Sequence, residues 1–284
     1  MGLFTKQLNK DFFIKDNHLV LSPEYIQRNK KYFKKITGSR FYSVLGESKY
    51  SSPVKTWAKM VNIYKEEIDP TIANAGITIE PIMRQYVEKN IDIKFKFWNP
   101  SEIKYDCFHE NEIFGGIPDG EPVDSNGNFL YKEGAPMLEI KTSSEDKLKF
   151  TTLNNNLVMQ KDSTGRPIVV TKEAKKKEWF NAKGEAIIPK EYVYQLALYL
   201  YLRKAKKGLF AVCFLKTADY VNPEKFDIEH ADLLFVEMNL DDINWIDIEV
   251  EKAKQWYFKH MSGNYISPEL TYSDKEWLKQ HFNI

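Results

Sequence analysis

Cysteine is scarce in this chain. There are two, Cys107 and Cys213, far apart and each inside an apolar run. With no CxxC pair, a zinc or iron–sulfur centre of the usual spacing is not expected. Both cysteines should be buried reduced thiols, as suits a cytoplasm. Long apolar runs are missing too, and none reaches the length of a membrane span. The opening Met1-Gly2-Leu3-Phe4-Thr5-Lys6 has neither the apolar stretch nor the cleavage site of a signal peptide. Lys6 also stands where myristoylation wants Ser or Thr. Excess charge of one sign is lacking: 41 Lys and Arg face 40 Asp and Glu, a formal +1. Net charge therefore gives no argument for nucleic acid, and any such path must be a local patch. No Ser–His–Asp or Cys–His arrangement is spaced persuasively, and His18 and His109 sit in apolar contexts that suit structural roles. Internal repeats and long low-complexity tracts are absent.

What is present is 43% apolar content over 284 residues, enough for a sizeable core. The expected organisation is one domain over 1–284. N-terminal helices fill about 1–90. A core of about 91–240 carries a polar, Lys-rich insertion at about 145–188. A C-terminal helix and tail occupy about 241–284. Helical spacing marks 23–35, a short segment opened by Thr37-Gly38-Ser39, 53–66, and 70–90. In the last of these Ile77, Ile79, Ile82, Met83, Tyr86 and Val87 recur at three and four. Strands are expected at 103–109, 113–118 and 136–142, with a turn at Asp124-Ser125-Asn126-Gly127. Turn signals at Thr164-Gly165 and Lys183-Gly184 suggest a hairpin or flap in the insertion. A strongly apolar helix follows at 189–204, then strands at 208–216 and 231–240. An amphipathic helix covers 241–261, with Ile243, Ile246, Val250, Ala253, Trp256 and Tyr257 on its stripe. Helices, then strands, a helix and strands again predict an α/β or α+β fold whose mixed central sheet is covered by helices.

The chemistry gathers around Gly116-Ile117-Pro118-Asp119-Gly120 and, twenty residues on, Glu139-Ile140-Lys141. Alternate strand residues share a face, so Glu139 and Lys141 project together while Ile140 turns to the core. If the strand ending at Asp119 pairs with this one, two carboxylates and an ammonium meet. Hard cations such as Mg2+ use one or two carboxylates, with water and phosphate filling the rest. An ammonium beside them can stabilise charge on phosphorus or help to activate water. Taken alone, Asp-Gly is a common turn and Glu-x-Lys a common surface ion pair. The apolar neighbours Phe114, Ile117, Met137, Leu138 and Ile140 argue instead for burial, where such groups are costly unless paired or metal-bound.

Pro118-Asp119 followed by Glu139-Ile140-Lys141 resembles the (P)D…(D/E)-x-K signature of the PD-(D/E)XK nucleases. Gly76-Ile77-Thr78-Ile79-Glu80-Pro81, Ile36-Thr37-Gly38-Ser39 and Tyr194-Gln195-Leu196-Ala197-Leu198-Tyr199 resemble further elements of its YqaJ and lambda-exonuclease branch. The resemblance spans about residues 30–260. It implies a restriction-endonuclease-like core and a Mg2+-dependent DNA nuclease in which Mn2+ can substitute, with two ions per site. Asp119, Glu139 and the Ile140 carbonyl would hold metal, with Glu80 completing the shell. Lys141 would position or activate the attacking water, and Gln195 would orient Lys141 or the phosphate. Without the resemblance, Glu80 reads equally well as a helix-surface carboxylate. The inserted stretch departs from the compact family pattern and leaves substrate geometry open.

Further DNA contacts are candidates only. A helix opening at Thr37 and Ser39 can hold phosphate on free N–H groups or can simply be N-capped by those hydroxyls. Lys35 and Arg40 flank it. Tyr199 belongs to the Gln195 element. Lys175, Lys176 and Lys177, with Trp179 and Phe180, interleave charge and aromatics as nucleic-acid surfaces do, although a charge run is more often a solvated face. The leading expectation is an exonuclease on linear duplex ends in phage-type recombination, with a single-strand annealing protein as partner and a ring-like homo-oligomer. A site- or structure-specific endonuclease and a catalytically silent DNA-binding protein are the alternatives.

Overall fold

A computed structural model describes residues 8–153 and 156–282. The segment Met1–Lys6, on which the expectation of no signal peptide bears, lies outside them. In chain order the first elements are β1 (Phe12–Lys15), β2 (His18–Leu21), α1 (Pro23–Asn29), β3 (Ile36–Thr37), α2 (Gly38–Val44) and α3 (Pro53–Met60). Then come α4 (Pro70–Ile91), β4 (Lys94–Lys96), β5 (Phe114–Gly115), β6 (Glu121–Val123) and β7 (Met137–Ser144). The insertion holds β8 (Lys147–Leu148), β9 (Phe150–Leu153), β10 (Asn156–Met159) and β11 (Val169–Thr171). The chain ends with α5 (Lys190–Arg203), β12 (Lys207–Leu215), β13 (Asp232–Asn239), α6 (Ile246–Met261) and α7 (Tyr272–Phe282). Among the described residues no helix is long and apolar enough to cross a membrane.

The chain forms two compact units and passes between them repeatedly. The first comprises Met1–Glu66, Tyr105–Ile117 and Trp245–Ile284. Its core is aromatic, with Phe12, Tyr25, Phe41, Trp57 and Phe114 almost wholly buried. β1 and β2 pair antiparallel, and β3 pairs parallel with β5. Pro23 and Pro53 open α1 and α3, where Ser22 and Ser52 cap the backbone N–H groups of Tyr25 and Lys55. The strand expected at 103–109 does not form. Lys104 and Tyr105 have positive φ (52° and 63°), which breaks an extended run. The Asp106 carboxylate then accepts from the Phe108 and Gly116 N–H groups, holding a loop. Of the strand expected at 113–118, only Phe114–Gly115 pairs.

The second unit, Glu67–Lys104 with Pro118–Asn244, carries the catalytic candidates. β12 is its spine, antiparallel to β13 and parallel to β7, with Phe210 opposite Glu139 and Ala211 opposite Ile140. Gly120 exchanges both backbone bonds with Leu138, at 3.2 and 2.9 Å. That bridge brings the Asp119 turn onto β7, and β6 continues into an antiparallel pair with β4. Ala75, Ile79, Met83 and Val87 line the apolar stripe of α4 and share a core with Leu138, Ile140, Leu209, Ala211 and Cys213. Truncating one such residue, Ile79→Ala for instance, removes roughly 2–5 kcal/mol. Ile77, placed on that stripe by spacing, is instead 74% exposed. Pro81 also deprives the Ile77 carbonyl of its helical bond, and at the surface water can take its place. Two glycines are set by close approach. A side chain at Gly120 would meet Phe95 at 3.0 Å, and one at Gly208 would meet Leu196 of α5 at 2.5 Å. Within the insertion β9 pairs with β10 and β11 with β8. The expected turns close at Gly165 and Gly184, both at positive φ.

Candidate active site

Glu139 is the centre. The pleat of β7 places it opposite the α4 core, and it is 0% exposed. Its Oε1 accepts from Lys141 Nζ and from Gln195 Nε2, each at 2.5 Å. Gln195 reaches it from α5, whose tight seat on Gly208 sets that approach. Asp119 lies across the Gly120 bridge, and its Oδ2 accepts the Ile140 N–H at 2.8 Å. Glu80 projects from α4 and pairs with Arg84, one helical turn on, at 2.6 Å. The Arg84 Nε also donates to the Asp119 carbonyl at 3.0 Å. Arg84 thus ties Glu80 to the Asp119 turn. The sequence reading missed it, although an Arg four residues after a candidate ligand on a helix is a usable signal.

The electrostatics are crowded. Burial pushes the Glu139 carboxyl up to about 8, with the Asp119 and Glu80 charges adding to the shift and Lys141 opposing it. Burial likewise raises Asp119 against the pull of Lys141 and the Ile140 N–H. Glu80 is raised by burial and by Asp119, with Arg84 and Lys141 opposing. For Lys141 burial works downward, but the Glu139 and Asp119 carboxylates outweigh it and hold the ammonium above its ordinary range. Its Nζ also lies 5.0 Å from the centre of the Tyr192 ring. Tyr192 in turn stacks on the buried Trp179 of the insertion, at 5.5 Å. The insertion therefore supports the site's lysine through two aromatic rings.

One atom has no such company. Glu139 Oε2 is buried without a hydrogen-bond partner among the described residues. A buried carboxylate oxygen normally finds a donor or a cation. Among the described residues no three His, Cys, Asp or Glu side chains form a ready metal cage. Mg2+ does not need one, since one or two carboxylates with water and substrate phosphate suffice. The donor set of Asp119 and Glu139, with its orphaned oxygen and surplus of negative charge, fits a hard divalent cation.

The remaining candidates lie in varied settings. Tyr199 is buried at 3% exposure. Lys175 pairs with Glu178 at 3.0 Å, Lys176 with Asp232, and Lys177 with Glu173 at 3.7 Å. Such surface pairs contribute about 0–1 kcal/mol each and exchange readily for other anions. In the first unit Lys35 bonds Asp106 at 2.6 Å. Arg40 donates to the Lys35 carbonyl and to Thr37 Oγ1, at 3.2 and 3.3 Å. The Thr37 and Ser39 hydroxyls pair with each other at 3.1 Å. Thr37 occupies the N-cap position of α2 but makes no side-chain capping bond.

A helix-flanked mixed sheet whose strand β7 carries the buried Glu139 and the part-buried Lys141 defines the class of protein. A family model, the YqaJ-like viral recombinase domain, matches residues 24–206, and the chain belongs to that family. Over 279 residues it is 47% identical to "Uncharacterized protein MG373" of Mycoplasma genitalium, covering 98% of each chain. It is 45% identical to the homologue of that protein in Mycoplasma pneumoniae, again over 98% of each. Among solved structures it resembles an alkaline exonuclease, LHK-Exo, from Laribacter hongkongensis, with TM-score 0.47 and 13% identity over 84% of this chain and 92% of that one. A phage-related exonuclease from Haemophilus somnus 129PT gives TM-score 0.46 and 16% identity over 83% and 98%.

Proposed function

We propose that this protein is a metal-dependent DNA nuclease that hydrolyses phosphodiester bonds, acting as an exonuclease on linear duplex ends in phage-type recombination or repair. The observation that carries the reading is Glu139 Oε2, buried and without a hydrogen-bond partner among the described residues, beside the Asp119 and Glu80 carboxylates. Asp119 and Glu139 would hold Mg2+ or Mn2+. The Ile140 carbonyl would be a further ligand, and Glu80 would complete the shell or serve a second ion. A bound ion of this kind would activate a water for attack and offset charge on the phosphate.

The chain's own groups divide the remaining work. Lys141 is held as an ammonium by its carboxylate neighbours, so it suits stabilising charge on the phosphate oxygens better than accepting a proton. Gln195 fixes Glu139 with one amide hydrogen and keeps its other polar positions for Lys141 or the phosphate. Arg84 holds Glu80 and the Asp119 turn in register. Family membership supports a role in recombination, with a single-strand annealing protein and a ring-like homo-oligomer as the associated partners. Two buried cysteines that form no disulfide accord with a cytoplasmic setting.

The test is the purified full chain with Mg2+ on linear and on supercoiled duplex, with 5′-phosphate and 5′-hydroxyl ends compared. The expected result is nucleotide release from linear ends, none from closed circles, and loss of activity in EDTA. Cutting of circles would favour an endonuclease on the same core. No cleavage with Mg2+ or Mn2+ would overturn the nuclease reading in favour of a silent DNA-binding protein.

A further inference from the structure

Phe97 stands one side chain away from the carboxylate cluster. The guanidinium carbon of Arg84, whose nitrogens reach Asp119 and Glu80, lies 4.5 Å from the centre of the Phe97 ring. Arg84 is itself buried, yet Phe97 is 56% exposed. The ring therefore has one side on a cation and much of its remaining area open to solvent.

The backbone that presents it is pinned on both sides. Before it, β4 pairs with β6, and Phe95 packs into the core against Gly120. After it, the Trp98 indole donates to the buried Glu121 carboxylate at 2.5 Å. The Asn99 side chain then closes a turn by accepting from the Ser101 N–H and hydroxyl, at 3.2 and 2.8 Å. An exposed aromatic ring gains little stability for the fold. A ring fixed in place, beside groups suited to a phosphodiester, offers a surface whose ordering cost is already met. Lys96, with its ammonium 3.8 Å from the Trp98 ring centre, adds positive charge to the same short segment.

We propose that Phe97 is a base-stacking platform, on which the nucleobase of a nucleotide next to the scissile phosphate packs against the ring area that Arg84 leaves open. The inference rests on the nuclease reading and names a residue that grips the substrate strand. Every base has a π-face, so the grip is tolerant of sequence. Its loss weakens binding by about 5- to 100-fold. A merely structural ring, serving as an apolar cover for the Arg84–Glu80 pair, would be replaced well by leucine.

The test uses the full chain as wild type, F97A, F97L and F97W, with fluorescein-labelled duplex ends bound in EDTA and cleaved with Mg2+. A single abasic residue is walked through the terminal nucleotides. The expected result is a Kd and KM raised about 5- to 100-fold in F97A and F97L, restored in F97W, with the cleavage rate at saturating DNA little changed. At one position the abasic residue weakens the wild type by the same factor and F97A no further. Equal binding by wild type and F97L, or an abasic loss that adds fully to that of F97A, would overturn the platform while leaving the nuclease reading standing. A wild type indifferent to abasic residues at every position would do the same without any mutation. A wild type that neither binds nor cuts DNA would overturn both.

Discussion

Two glutamates of the second unit, Glu121 on β6 and Glu139 on β7, are both 0% exposed. Glu121 has four donors. Tyr131 Oη and Arg203 Nε reach its Oε1 at 2.7 and 2.5 Å, while Trp98 Nε1 and an Arg203 terminal nitrogen reach its Oε2 at 2.5 and 3.0 Å. Among the described residues Glu139 has two donors on one oxygen and none on the other, and further carboxylates beside it. The first glutamate is a finished structural joint. The second is arranged at a cost to stability, as expected of a carboxylate kept for a function rather than for the fold.

Exchanging the two residues for amides separates these roles. Glu139→Gln should reduce cleavage by at least about 100- to 1000-fold, the scale on which losing one preorganised electrostatic group acts. Its metal-free urea midpoint near neutral pH should change little, because the Glu139 carboxyl is raised to about 8 and the amide replaces a largely neutral acid. Glu121→Gln should do the reverse. Arg203 loses the Glu121 carboxylate, and breaking a buried pair costs about 3–5 kcal/mol, toward the lower figure here because the Arg203 side chain is 22% exposed. Its maximal cleavage rate per folded molecule should stay near wild type.

Arg84→Ala comes next in size. Without the clamp on Glu80 and the Asp119 turn, activity should fall about 10- to 100-fold, as for residues that orient metal ligands. Arg84→Lys should recover little, since one ammonium cannot hold both partners in the same geometry. Kinetics at saturating Mg2+ would check both variants.

A further effect is one of pH. The folded carboxyl of Glu139 titrates above its ordinary 4.5, near 8. Its favourable contribution is therefore complete below about 4.5 and is lost as pH rises through about 8. Metal-free protein should lose thermal stability across that interval more steeply than Glu139→Gln does, and Mg2+ should reverse the loss by binding the folded state.

Much of the geometry of this candidate site was legible in the sequence. Glu139 and Lys141 share a face by strand period alone, and Ile140 turns to the core as alternation requires. The five residues Glu80, Asp119, Glu139, Lys141 and Gln195 could be read because each stands in a short motif. The contrast between Glu121 and Glu139 could not, because it depends on Tyr131, Arg203 and Trp98 converging from distant positions. The β1–β2 hairpin escaped as well, being two short strands joined through Asp16 and Asn17 at positive φ. The false strand at 103–109 shows the converse, apolar residues without the backbone to match. Arg84 was hidden as one polar residue on an amphipathic helix, and its role appears only when Asp119 and Phe97 arrive beside it.

The central claim is that the unpartnered side of Glu139 belongs to a divalent cation. Calorimetric titration of Mn2+ into wild type, Glu139→Gln and Glu121→Gln tests it without any DNA. The account predicts binding by wild type and Glu121→Gln, and its loss in Glu139→Gln. Binding by Glu139→Gln as tight as that of wild type would contradict it.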